Sequence, residues 1–287
     1  MPSATVGVIG GSGLYQIEGL TGVEELQITT PFGEPSDRVI VGELEGVQVA
    51  FLPRHGRGHR IGPTEINVRA NIYALKSLGV EQVISVSAVG SMREDIQPLD
   101  VVIPDQIFDR TTLRARSFFT DEIVAHVSLA NPYCLDLSGH LTHVARGVAP
   151  RVHRGGTYIC IEGPQFSTRA ESRIYRQWGV DVIGMTAMPE ARLAREAEMC
   201  YATLAMVTDF DVWHDAAEAV TVEQVVANLS ENTTVAKEIL RRALKNLPPD
   251  RGCSCGSALA KSIVTQTGRI PSDVRQRLDL LVRKYVP

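Results

Sequence analysis

The sequence has no apolar run approaching the roughly 20 residues that a membrane-spanning helix needs. It also lacks a basic N-terminal stretch followed by an apolar core and a cleavage site, so no export signal is expected. Cysteine is scarce and irregular. Cys134, Cys160, Cys200, Cys253 and Cys255 do not make the framework of a secreted disulfide scaffold. Charge of one sign is missing as well: 29 Lys and Arg face 33 Asp and Glu, a formal net charge of −4. That balance argues against nucleic acid or an anionic membrane as the main partner. Internal repeats, low-complexity tracts and linkers are absent. What remains is a cytoplasmic, single-domain expectation for 287 residues, 44% of them hydrophobic, enough for a large core.

The organising stretch runs from Cys200 to Trp213. Tyr201–Val207 is a short apolar run with helix-like sequence on both sides, which reads as a strand buried in a helix-covered sheet. It leads directly into Asp209 and Asp211. Ligands in open α/β folds sit at such strand ends. Two acids one residue apart on extended chain point the same way.

Ala4–Ile9 reads as a first strand that enters Gly10-Gly11-Ser12-Gly13-Leu14. This turn can bring N–H groups and a hydroxyl against a phosphate. It fails the dinucleotide pattern, because Gln16 stands where a third glycine belongs, and it has no P-loop lysine. Arg38–Leu44 and Gly46–Leu52 read as a hairpin about Glu45-Gly46. The hairpin ends in Arg54-His55-Gly56-Arg57-Gly58-His59-Arg60, a cationic loop suited to an oxyanion. The glycines argue against a helix presenting His55 and His59 to a metal, and no metal site is expected.

A helix is expected over Thr64–Leu78, closed by Gly79, and a strand over Gln82–Val86 that ends in Ser87-Ala88. Asp100–Pro104 reads as a strand, Asn131–Val148 as a helix and Gly156–Ile161 as a strand. Glu162-Gly163-Pro164-Gln165-Phe166-Ser167 breaks the last of these. A helix over Thr168–Trp178 and a strand over Val180–Ile183 follow. Thr186 then stands near a helix N-terminus, a natural anion site, with Pro189 and Glu190 in the first turn. Thr221 and Gln224 form a capping box for a long helix from Val222 to about Leu247. Two short helices are expected in Ala258–Val286. The alternation predicts an α/β fold, a twisted mixed sheet in a three-layer αβα arrangement. Ser12, Arg54, His55, Ser87, Ala88 and Thr186 then sit at element ends, as an oxyanion site requires. Asp209 and Asp211 would repel an anion and belong on another part of the substrate.

Five stretches occur in order with Thr208-Asp209-Phe210-Asp211. They are Gly10-Gly11-Ser12-Gly13-Leu14, Arg54-His55-Gly56-Arg57, Gly90-Ser91-Met92-Arg93-Glu94, Glu162-Gly163-Pro164-Gln165-Phe166-Ser167 and Met185-Thr186-Ala187-Met188-Pro189-Glu190. Together they resemble the methylthioadenosine-cleaving branch of the trimeric purine nucleoside phosphorylase family. The resemblance covers roughly residues 5 to 245 and leaves the tail after about Pro248 aside.

The resemblance implies that phosphate is held by Ser12, Arg54, His55, Ser87, Ala88 and Thr186. It puts Met185 under the ribose and Phe166 beside the base. Asp209 faces N7 of adenine and Asp211 the exocyclic amino group. His126 is given by a neighbouring subunit to the 5′ end, which implies a homotrimer, with a dimer of trimers as an extension. Nucleoside and inorganic phosphate are then the substrates, and no cofactor is required.

The 6-oxopurine branch carries asparagine at the position of Asp209 and glutamate at that of Ser167. An aspartate accepts from an amino group, so adenine is the expected base. Val222 replaces a histidine that would meet a 5′-hydroxyl, and its apolar side chain suits a methylthio group. Gly184 departs from the asparagine of many relatives. The alternatives are a methylthioinosine or 6-oxopurine nucleoside phosphorylase and, in another class, a non-catalytic nucleotide-binding protein. Cys253-Ser254-Cys255 reads as two reduced surface thiols, or as a strained, redox-labile bridge closing a very small ring.

Overall fold

A computed structural model describes residues 3–11, 13–214, 222–248 and 250–286, with only the backbone course described for 222–227. In chain order the elements begin with β1 (Val6–Gly10), β2 (Thr21–Leu26), β3 (Val39–Leu44), β4 (Val47–Pro53), α1 (Val68–Ser77) and β5 (Gln82–Ser91). Next come β6 (Val101–Ile103), β7 (Gln106–Asp109), α2 (Leu135–Ala145), β8 (Val152–Arg154), β9 (Thr157–Cys160) and α3 (Arg169–Gln177). Then follow β10 (Val182–Gly184), α4 (Ala187–Glu196), β11 (Cys200–Phe210), α5 (Val222–Lys245) and α6 (Ser272–Val282).

The strands join in one mixed sheet whose main path runs β2-β3-β4-β1-β5-β10-β9-β7, with β11 pairing both β5 and β6. β1, β4, β5 and β11 run parallel through its centre, where both faces need cover. The alternation along β11 shows how that cover is arranged. Cys200, Ala202, Leu204 and Met206 face an apolar cluster with Leu137 and Leu141 of α2 and Ile239 and Leu240 of α5. Tyr201, Ala205 and Val207 face a second cluster with Ile72 and Leu75 of α1, Leu193 of α4 and Leu278 of α6. The expected αβα arrangement therefore follows from period-two burial on both sides of one strand.

The β3–β4 hairpin turns at Glu45 and Gly46, both with positive φ (52° and 81°), the geometry of a two-residue turn matched to strand twist. Helix α1 starts four residues later than its periodicity predicts. Thr64 is spent on Glu162, donating to its carbonyl and its carboxylate, and the Asn67 side chain caps the helix through the Ala70 N–H instead. Three short strands, β2, β7 and β8, have no strong sequence signal. The tail differs too: it holds single 3-10 turns at Ser254–Ser257 and Thr267–Arg269 and one α-helix, α6, rather than two helices. Thr221, half of the expected capping box, lies outside the described residues. No helix among the described residues is long and apolar enough to cross a membrane.

Candidate active site

β5 and β11 run side by side in register, with Ala205 opposite Ser87, Met206 opposite Ala88 and Val207 opposite Val89. A bulge at Thr208 then sets Asp209 opposite Gly90. The small, hydroxyl-bearing end of one strand therefore lies next to the acidic end of the other. Two residues of strand, about 7 Å, separate Ala88 from Gly90. A cavity of about 470 Å³ opens here, and Arg54, His55, Ser87, Ala88, Thr186, Met185, Phe166, Ser167, Asp209 and Asp211 all line it.

The anion end differs from the sequence reading first at Arg54. Arg54 is buried and its guanidinium is already engaged: Nε donates to Glu190 Oε1 at 2.5 Å and Nη2 to Glu190 Oε2 at 3.1 Å. Nη2 also donates to Ser85 Oγ, and Nη1 to the Val86 carbonyl. Burial alone would lower its pKa, but Glu190 raises it past the ordinary arginine value. A fork on the ligand is therefore excluded, and a single Nη1 N–H remains to turn toward an anion. The neighbouring arginines are engaged elsewhere. Arg57 pairs with Glu25 at 2.9 Å, and Arg60 donates to the Ser36 carbonyl.

His55 is neutral near pH 7, because burial first and Arg54 second lower its pKa to about 4. Its Nδ1 must donate to the Ile61 carbonyl at 2.9 Å, which leaves Nε2 as an acceptor. The cavity therefore offers dipoles rather than net positive charge. The Thr186 and Ser167 hydroxyls are buried without a hydrogen-bond partner in the chain, open donors that an oxyanion or a sugar can satisfy. Thr186 does not cap a continuous helix, since Met188 breaks the path (φ −115°, ψ 136°). The expected helix-terminus contribution at Thr186 is reduced accordingly.

At the acid end, Asp209 is pushed up to about 6, by burial against the Thr208 hydroxyl that favours its charge, with Asp211 adding repulsion. Thr208 Oγ lies 2.6 Å from Asp209 Oδ2 and 3.2 Å from the Val89 carbonyl. Its single proton can go to either acceptor, so the hydroxyl serves the ionised and the protonated carboxyl alike. Burial also raises the Asp211 pKa, while the Ser172 hydroxyl donates to its Oδ2 and works against the rise. Ser172 reaches Asp211 because the Thr168–Glu171 capping box fixes the register of α3. Gly90 leaves room for the pair, since a Cβ there would stand 3.1 Å from Asp209 Oδ1.

Residues 5–245 match the family model of the phosphorylase superfamily. The chain belongs to that superfamily. The S-methyl-5′-thioadenosine phosphorylase of Geobacter sulfurreducens is 54% identical to it over 98% of this chain and 99% of its own length. Among solved structures, a methylthioadenosine phosphorylase from an Antarctic soil metagenomic library is 48% identical, with a TM-score of 0.93 over 98% of this chain and 100% of that one. The Schistosoma mansoni methylthioadenosine phosphorylase, solved with adenine, is 36% identical with a TM-score of 0.84, covering 91% and 99%.

Three expected residues of this phosphorylase stand apart. Ser12 lies outside the described residues, although its neighbours Gly11 and Gly13 line the cavity. Val222 begins α5, and its side chain lies outside the description. His126 lies on a segment whose neighbour Ala125 bridges Ile263, and its own N–H is donated to the Ser262 carbonyl at 2.8 Å. It does not reach the cavity of its own chain.

Sequence reasoning missed several supporting groups of the phosphorylase site. Glu190 holds Arg54. Arg114, buried, donates to the carbonyls of Met185, Met188 and Glu162, tying both cavity loops together. Burial works to raise the Glu162 pKa, but donors from Thr112, Leu113, Thr64 and Arg114 win and hold it at about 2. Asn232 of α5 lines the cavity with a buried, unpartnered Oδ1. Gly184 has a partner the sequence did not show. A Cβ there would overlap the Tyr158 hydroxyl and stand 2.7 Å from Tyr158 Cζ. Tyr158 Oη in turn lies 3.5 Å from Ser87 Oγ. The tyrosine occupies the space that an asparagine at 184 would need.

Proposed function

We propose that this chain cleaves 5′-methylthioadenosine with inorganic phosphate, releasing adenine and 5-methylthioribose 1-phosphate in purine and methionine salvage. One observation carries the reading. A buried carboxyl with its pKa raised to about 6 shares one cavity with unpartnered hydroxyls and a restrained arginine. Relatives that span nearly the whole chain bear the name of that activity.

The site residues have these roles in the proposal. Phosphate sits against Ser12, Ser87, Ala88, Thr186 and the free Arg54 N–H, and a protonated phosphate oxygen donates to His55 Nε2. Met185 underlies the ribose, and Phe166 with Ser167 borders the base. As the C1′–N9 bond breaks, positive charge grows on the sugar beside the phosphate and negative charge grows on the purine. A phosphate oxygen forms the new bond to C1′, and Asp209 gives its proton to N7. Asp211 accepts from the exocyclic amino group. General acid catalysis of this kind is worth about 10²- to 10⁴-fold. No cofactor enters, since phosphate is a co-substrate. An apolar residue at Val222 suits a methylthio group at the 5′ end.

His126 completes the 5′ end from a neighbouring copy, so the working enzyme is a homotrimer in the cytoplasm. Adenine release from methylthioadenosine, followed with and without phosphate, tests the reading. Release that depends on phosphate supports it. Equal release without phosphate means hydrolysis, and no release with either leaves only binding. Faster cleavage of methylthioinosine or inosine than of methylthioadenosine would overturn the choice of base.

A further inference from the structure

We propose that Cys134, Cys200, Cys253 and Cys255 form a structural zinc site, remote from the reaction. Their four Sγ atoms all lie within 4.8 Å of one another, with Cys200 and Cys253 3.3 Å apart. A tetrahedral zinc with Zn–S bonds of about 2.3 Å has S···S edges of about 3.8 Å, within that spread. Three of the thiols are buried and Cys253 is half-buried. Four sulfurs and no oxygen donor select a soft, tetrahedral cation over calcium or magnesium.

The cysteines come from three parts of the chain that nothing in the sequence joins. Cys134 is the N-cap of α2, and Cys200 opens β11. Cys253 and Cys255 belong to the 3-10 turn of the tail, Cys253 as its N-cap. Backbone hydrogen bonds fix two of the donors: the Cys134 N–H to the Tyr201 carbonyl at 2.8 Å and the Cys200 N–H to the Glu81 carbonyl at 2.9 Å. A buried cysteine commonly serves as a small apolar filler, and Cys160 fits that description, alone and donating to the Met188 carbonyl. Filling a core does not need four sulfurs at one point.

The surroundings suit a charged centre. Zinc with four thiolates carries a net charge of −2, which needs donors and cations nearby. Arg195 Nη1 donates to Cys255 Sγ at 3.4 Å, and Arg251 stands over Gly256 beside the turn. Cavities of about 360 and 270 Å³ flank the cluster, each lined by Cys134 and Cys253, and offer an ion a way in. None of the four lines the substrate cavity. Zinc here would clamp the tail to the start of β11, the strand whose far end bears Asp209.

The test uses the full chain, purified under reducing conditions without chelator. Elemental analysis should find one zinc per chain, falling to none in a Cys253→Ser/Cys255→Ser double variant. Cobalt added to metal-stripped protein should produce thiolate charge-transfer and tetrahedral d–d absorption, also lost in the variant. The variant should keep its phosphorolysis rate at 25 °C and unfold at a lower temperature. Thiol titration of the wild type, unfolded with chelator and without reductant, covers the case of a variant that does not fold. Five thiols together with stoichiometric zinc support the site. Metal-free protein with five thiols, or a count of three or one from disulfides, overturns it.

Discussion

Replacing Asp209 by Asn should make the protein more stable and the enzyme worse. Burial raises the Asp209 pKa from 3.8 to about 6, so the folded state resists its ionisation. A rise of roughly two pH units corresponds to about 3 kcal/mol at pH 8, where the carboxylate is charged in both states. The sign follows from the raised pKa. Well below pH 3.8 the carboxyl is neutral in both states and costs nothing. The penalty grows as pH climbs through the window from 3.8 to about 6 and is constant above it. Asparagine is isosteric, cannot ionise, and keeps an oxygen for the Thr208 hydroxyl. The variant should therefore gain about 2–3 kcal/mol at pH 8, a rise in Tm of about 3–5 °C, and only about 0.5 kcal/mol at pH 4. Thermal unfolding at both pH values reads this directly. Phosphorolysis of methylthioadenosine should fall about 10²- to 10⁴-fold, while 6-oxopurine nucleosides gain relative to it. A stability gain equal at pH 4 and pH 8, or unchanged methylthioadenosine kinetics, would refute the reasoning.

Two further substitutions probe the supports of the site. Glu190→Gln leaves Arg54 charged, buried and without its fork, which should cost about 3–5 kcal/mol; an unchanged denaturation midpoint would mean the pair does not hold Arg54. Gly184→Ala should destabilise by about 1–3 kcal/mol through overpacking on Tyr158 and raise the KM for phosphate through Ser87. Adding Tyr158→Val should restore most of the loss, and a double-mutant cycle with no coupling would show that the two residues act independently.

Much of the site was legible because its chemistry lies on strand ends and in glycine-rich turns. Asp209 and Asp211 were expected to face one way, and both line the cavity despite the bulge at Thr208 beside them. The hairpin at Glu45-Gly46 and the helix start at Thr168 were local signals with local causes. Helix α1 was misplaced at its start because Thr64 serves Glu162, about a hundred positions away, instead of capping its own helix. The loop from Arg54 to Arg60 read as cationic because sequence counts charges and not their partners. Glu190, which pairs with Arg54, and Glu25 and Asp37, which pair with Arg57, come from α4, β2 and the β2–β3 connection.

Sequence alone determined what is local: the period-two burial of β11, the residue types at each strand end and the family they belong to. Only the tertiary structure decided which distant groups meet. It set Glu190 under Arg54, turned His55 into a neutral acceptor, put Tyr158 in the space beside Gly184 and brought four cysteines from three segments together. The reason is physical. Hydrogen-bond reach and burial depend on distances in space, and separation along a chain says little about those once a sheet has folded it back on itself.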